Sequence, residues 1–151
     1  MSDQLLHRPL TSKILKAFYN VYNTLGPGFL EKVYENAMAF ELRQMGLRVG
    51  QQQPLKVYYH GQRVGDYYAD LVVEGLVILE LKVADAINEV FEAQVTNYLK
   101  ATEVEVGMVL NFGPEPQFRR IILTNDRKKL GTVKPRVETG ATGQDGSKNP
   151  S

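Results

Sequence analysis

Asp70, Glu80 and Lys82 are the residues of this chain whose types and spacing can do chemistry. They stand in Tyr68-Ala69-Asp70 and Leu79-Glu80-Leu81-Lys82, inside segments that otherwise read as buried strand, with Val77, Ile78, Leu79, Leu81 and Val83 as core fillers. Burying a charge is costly unless it is paired or holds a metal. Glu80 and Lys82 are two apart on one strand and so share a face. Asp70 joins them in only one register of the hairpin. A two-residue turn at Glu74-Gly75 pairs Val73 with Leu76 and sets Asp70 against Leu79, on the opposite face from Glu80. A three-residue loop, or one bulge, sets Asp70 against Glu80 instead. Two carboxylates then project side by side and repel unless a cation sits between them. Such oxygen donors suit Mg²⁺ or Mn²⁺, with the Leu81 carbonyl as a third ligand. Lys82 can orient a metal-bound water or stabilise charge on a phosphate. The competing account is a one-sided sheet, with Leu79, Leu81 and Val83 inward and Glu80 and Lys82 in water.

Further candidates lie on helices. In Gly28-Phe29-Leu30-Glu31-Lys32-Val33-Tyr34, Glu31 falls in a first helical turn, with Tyr34 one turn on along the same side. An acid there interacts well with the helix dipole, by about 0.3–1 kcal/mol, so local reasoning makes Glu31 a helix-end residue. The alternative is an extra acid at a metal site. Gln94 lies in the stripe Ile87, Phe91, Gln94, Val95, Tyr98, where a core-facing amide needs hydrogen-bond partners. It bonds backbone, or it aims at a phosphate or metal-bound water with the Tyr98 hydroxyl beside it. His7 and His60 are isolated and read as solvated; Arg119, Arg120 and Lys100 could lie near a groove, although exposed surface cations are the commoner case.

These residues need elements to position them. Leu10, Ile14, Phe18, Val21, Tyr22 and Leu25 predict an amphipathic helix from about Pro9 to Thr24, broken by Gly26-Pro27-Gly28. A second helix is expected from Phe29 to Met45, ended by Gly46. Strands follow from Leu47 to Tyr59, Arg63 to Val73 and Leu76 to Val83, then a helix capped by Asp85 and running to Ala101. Val104 to Phe112 and Phe118 to Thr124 complete the strands. The unit from the third strand through the helix to Val104–Phe112 is βαβ, so those two strands should be parallel. The result is an α/β fold, a mixed β-sheet flanked by helices. Residues 1–125 form one domain. Residues 126–151, rich in Gly, Pro, Ser, Thr and charge, are expected to form a disordered tail, with a basic arm on phosphate as the sharper alternative.

Composition narrows the function classes. The chain has 151 residues, 43% hydrophobic and 23% charged, with a net charge of +1, so no global basic signal points to nucleic acid. There is no cysteine, which removes disulfides, thiolate zinc sites and cysteine nucleophiles and is compatible with the cytoplasm. The first eight residues are polar, without a signal-peptide core, and no apolar run is long enough to span a membrane.

Taken together, the motifs resemble a known family. Gly28-x-x-Glu31-x-x-Tyr34 is similar to the signature of the GxxExxY proteins, which belong to the PD-(D/E)XK nuclease superfamily. Asp70 followed by Glu80-Leu81-Lys82 resembles that superfamily's Asp…(Asp/Glu)-x-Lys motif, with Ala69 in place of proline. Gln94-x-x-x-Tyr98 resembles the Gln-x-x-x-Tyr motif of RecB-type members. The resemblance covers Ser12 to Thr124 and implies a restriction-endonuclease-like αβββαβ core behind an extra N-terminal helix. It implies Asp70 and Glu80 as metal ligands, Lys82 as the catalytic lysine and Glu31 as an acid completing the site. Gln94, Tyr98 and Tyr34 would support the site or touch the nucleic-acid backbone. The implied reaction is Mg²⁺-dependent hydrolysis of phosphodiester bonds in DNA. The alternative is a silent nuclease-fold module for binding or assembly. The small chain leaves part of the recognition to a homodimer or a protein partner, for which Tyr58, Tyr59, Tyr67 and Tyr68 could build an interface, with a packed sheet face as the default reading.

Overall fold

The computed structural model describes residues 6–130 and 136–141. Two helices open the chain, α1 (Arg8–Leu25) and α2 (Glu31–Gln44). Three strands follow, β1 (Val49–Tyr59), β2 (Gln62–Val73) and β3 (Val77–Lys82). Then come α3 (Glu89–Ala101), β4 (Val106–Phe112), β5 (Pro116–Ile122), α4 (Asn125–Leu130) and β6 (Arg136–Ala141). Among the described residues, six strands form one sheet in the order β1-β2-β3-β4-β5-β6. β3 and β4 are parallel and every other neighbouring pair is antiparallel. The expected mixed sheet and parallel βαβ unit are therefore present.

Strand alternation sends side chains to two cores. On one face Ile14 and Phe18 of α1 and Tyr34, Met38 and Leu42 of α2 pack against Leu79, Leu81, Met108, Leu110 and Phe112. On the other, Val95, Tyr98 and Leu99 of α3 pack against Ile78, Val109 and Ile121. β4 is buried along its whole length, as a central strand covered on both faces should be. α3 can lie close to it because Gly107 carries no side chain: a Cβ there would stand 2.4 Å from Val95 Cγ1.

Three differences from expectation bear on the argument. Asp85 does not cap α3; Asn88 does, its side chain accepting from the Phe91 N–H at 3.1 Å. The preceding segment is held down instead, with Ile87 buried and its N–H donated to Gln117 Oε1 at 3.2 Å. Leu76 reads as strand but sits in the loop, 42% exposed.

The third difference lies beyond Asn125, where a disordered tail was expected. α4 and β6 are ordered elements there, and β6 pairs along β5 from Gln117↔Ala141 to Ile122↔Arg136. The reason is electrostatic. Arg120 on β5 is fully buried and not a surface cation, and its Nη1 donates to Glu138 Oε2 of β6 at 2.7 Å. Its Nη2 donates to the Leu6 carbonyl, and Arg8 reaches the same Glu138 at 3.3 Å. A buried guanidinium needs such a partner. The remainder of the expected tail, 131–135 and 142–151, lies outside the described residues.

Candidate active site

The hairpin between β2 and β3 has the three-residue loop. Val73 pairs with Val77, Val72 with Ile78 and Leu71 with Leu79. Glu74 and Gly75 turn the chain with positive φ of 55° and 66°, and the Leu76 N–H donates to the Val73 carbonyl at 2.9 Å. This register brings Asp70 and Glu80 opposite each other. The regular ladder stops at Leu71 and Leu79, and the two carboxylates take over its hydrogen bonds. Asp70 Oδ2 accepts from the Leu81 N–H at 2.8 Å, and Glu80 Oε1 accepts from the Asp70 N–H at 3.4 Å.

The chain bends at this point. Ala69 and Leu71 are two apart on β2, yet Ala69 lies in the α3 core and Leu71 in the α1/α2 core. Opposite the bend, Gln52 of β1 has a φ of 50°, a conformation that side chains other than glycine seldom adopt. The bend frees Asp70 from either core. Gln52 is then close enough for its Nε2 to donate to Asp70 Oδ1 at 3.3 Å and to Glu35 Oε1 at 2.8 Å. Glu35, one turn after Glu31 on α2, is only 4% exposed. It also accepts from Lys32 Nζ at 3.1 Å and Gln51 Nε2 at 2.9 Å. Sequence reasoning missed both Glu35 and Gln52. The available signal was the position of Glu35 inside the buried stripe Tyr34, Met38, Leu42.

Glu80 is 3% exposed, which overturns the solvated one-sided account of β3. Burial first, and the Asp70 charge second, push its carboxyl from 4.5 up to about 8. Lys82, the Asp70 N–H and the Tyr98 hydroxyl pull the other way. Asp70 is raised too, chiefly by burial, against the opposing hydrogen bonds of the Leu81 N–H and Gln52. Glu31 stands at the exposed rim and is raised by partial desolvation and then by the Asp70 charge, with Lys82 lowering it. All three acids thus share one field. Lys82 Nζ lies 4.0 Å from Glu80 Oε2 and 4.9 Å over the Phe91 ring.

The remaining candidates divide. The Tyr98 hydroxyl stands against Glu80, donates to the Tyr68 carbonyl at 3.3 Å and receives Gln94 Nε2 at 3.5 Å, so both reach the site. Burial raises the Tyr98 pKa, which keeps it a neutral donor. Tyr34 does not join them. Its hydroxyl donates to the Gly26 carbonyl at 2.6 Å and accepts from the Phe29 N–H at 3.2 Å, while its ring stacks on Phe112 at 4.3 Å. Tyr34 braces the loop that launches α2, and so the placement of Glu31. His60 sits in the β1–β2 turn.

Among the described residues no three acidic or histidine side chains are gathered closely enough to ring an ion unaided. The donor set still fits a hard divalent cation. Two carboxylates from adjacent strands face one another, and both are held above their ordinary range, chiefly by burial, with the Asp70 charge adding to it at Glu80 and the Glu35 charge at Asp70; a cation between them would relieve this.

A mixed sheet presenting an aspartate, then Glu-x-Lys, on neighbouring strands defines a class of α/β fold with a carboxylate–lysine site. A family model described as the PD-(D/E)XK nuclease superfamily matches residues 8–121, and the chain belongs to that superfamily. Membership implies a nucleic-acid substrate and the divalent metal that such nucleases use. No curated protein and no solved structure matches the chain. None of the described helices is long and apolar enough to cross a membrane.

Proposed function

We propose that this protein is a Mg²⁺- or Mn²⁺-dependent nuclease that hydrolyses phosphodiester bonds of DNA, and that it belongs to the GxxExxY branch. One observation carries the reading: Asp70 and Glu80 converge across the hairpin, with the Lys82 ammonium 4.0 Å from Glu80. Asp70, Glu80 and the Leu81 carbonyl would hold the ion, with Glu31 as a further acid from α2. Held there, such an ion would supply Lewis acidity toward a phosphate oxygen and lower the pKa of a water molecule.

The chain's own residues do the rest. Glu80 must release its proton before it can serve as a ligand, and its raised pKa makes that release pH-dependent. The Leu81 N–H and Gln52 fix the Asp70 carboxylate in one orientation. Tyr98, steadied by Gln94, holds Glu80. Lys82 is kept in place by Phe91 and places its charge where negative charge develops on the phosphate.

A second reading is a nuclease fold that binds nucleic acid without cutting it, favoured by the absence of a closed three-acid ring among the described residues. A metal titration separates the two. The nuclease reading expects Mg²⁺ or Mn²⁺ to raise thermal stability. It also expects cleavage of linear, circular or single-stranded DNA in preference to RNA. Lys82→Ala is expected to lower that rate by ~10²-fold or more. Binding of DNA with no metal dependence and no cleavage of any substrate defeats it.

A further inference from the structure

β1 and β2 continue past the carboxylates as a two-stranded arm, pairing from Gln53↔Ala69 to Tyr59↔Gln62. A ribbon of two strands is marginal in water, and this one displays large apolar rings: Tyr58 is 60% exposed, Tyr59 66% and Tyr68 54%. Where the arm leans over α3 it forms a groove of about 410 Å³, with Lys56, Tyr58, Tyr67, Asn97 and Lys100 among its walls and no acid among the lining residues. Asp66, the acid paired across the ribbon from Lys56, is already engaged twice by Arg63, at 3.0 and 2.6 Å. Neither lysine makes an ion pair among the described residues.

The groove adjoins the candidate active site through one ring contact. Tyr67 packs edge-on against Tyr98 at 5.2 Å, and the Tyr98 hydroxyl stands against Glu80. Tyr68, also exposed, lies two residues before Asp70.

We propose that this groove receives an unpaired nucleic-acid strand leading from the carboxylates along the arm, with Lys56 and Lys100 on its phosphates and Tyr58 and Tyr67 against its bases. The inference rests on the nuclease reading and adds the substrate class. Ring faces flanked by lysines suit splayed bases on a single strand, because a base inside a duplex already has its faces covered. A second copy of this chain is a poor occupant, since an acid-free groove with two lysines offers its like no counter-charge.

The test is fluorescence anisotropy with a labelled oligothymidylate of roughly twelve nucleotides, within the usual span of such sites, in EDTA so that nothing is cut. The oligothymidylate is expected to bind more tightly than a duplex of equal length. Tyr58→Ala should weaken binding about tenfold, while Tyr58→Phe retains it. Lys56→Gln with Lys100→Gln should lower the slope of log K against log salt by about 1.4. Matching melting curves show that the variants fold. Duplex binding as tight as strand binding overturns the proposal. So do variants that bind like the wild type, or a sedimentation dimer that Tyr58→Ala dissociates without changing strand binding. Cleavage measured separately with Mn²⁺ keeps the two readings apart. Strand binding through the groove with no cleavage defeats only the nuclease; cleavage with groove variants that bind normally defeats only the groove.

Discussion

Replacing Glu80 with glutamine is expected to make the metal-free protein more stable at alkaline pH. In the fold the Glu80 carboxyl is pushed from 4.5 up to about 8, whereas the unfolded chain ionises it at its ordinary value. Well below pH 4.5 both states keep the proton, so the residue exacts no penalty there. As pH rises further, the unfolded chain gives up its proton and the fold does not. Each pH unit then favours unfolding by about 1.4 kcal/mol, until the folded carboxyl also ionises. The window from 4.5 to about 8 sets a ceiling of ~5 kcal/mol. Relaxation and water entry lower it, leaving ~2–5 kcal/mol, or ~4–20 °C in Tm for a chain of this size. The assay is thermal melting of wild type and Glu80→Gln in EDTA, below pH 4.5 and again above pH 8. The curves should meet at the acid end and diverge at the alkaline end, with the variant melting higher. The variant keeps some residual slope, because Asp70 is raised in the same direction. Saturating Mn²⁺ at alkaline pH should raise the wild type and leave the variant nearly unmoved. Parallel curves across the whole range would refute the reasoning.

Two further outcomes follow from neighbouring contacts. Gln52→Ala removes the amide shared by Asp70 at 3.3 Å and Glu35 at 2.8 Å, and should weaken Mn²⁺ binding by ~10–100-fold in a direct titration; unchanged affinity would mean that Asp70 needs no such support. Glu138→Ala strands the buried Arg120 guanidinium and should lower urea stability by about 3 kcal/mol, with Arg120→Met in the same chain restoring most of it.

The fold was legible because its signals are local. Helical spacing from Leu10 to Leu25 and the run Val77 to Val83 state their elements without help from elsewhere. The positions of Asp70, Glu80 and Lys82 were legible as well, but their convergence was not. It depended on whether Leu76 belongs to strand or loop, and an apolar residue beside Gly75 does not reveal that. Glu35 was invisible for another reason. An acid one turn after Glu31 looks solvated until Gln51 and Gln52 arrive from a different strand to cover it. The last strand escaped notice because Arg136 to Ala141 carries little apolar alternation. Its docking is dictated by Arg120, whose burial no local pattern announces.

The order of strands across the sheet is the order along the chain. No strand has to be inserted between two that are already paired, so the sheet can grow at a single edge as the polypeptide leaves the ribosome. Glu80 is enclosed by elements that come later in the chain, α3 through Tyr98 and β4 through the pairing Glu80↔Val109. Asp70 meets Gln52 and the Glu35 charge from elements that come before it. The two acids are thus enclosed from opposite directions along the polypeptide, and neither half alone closes the pocket.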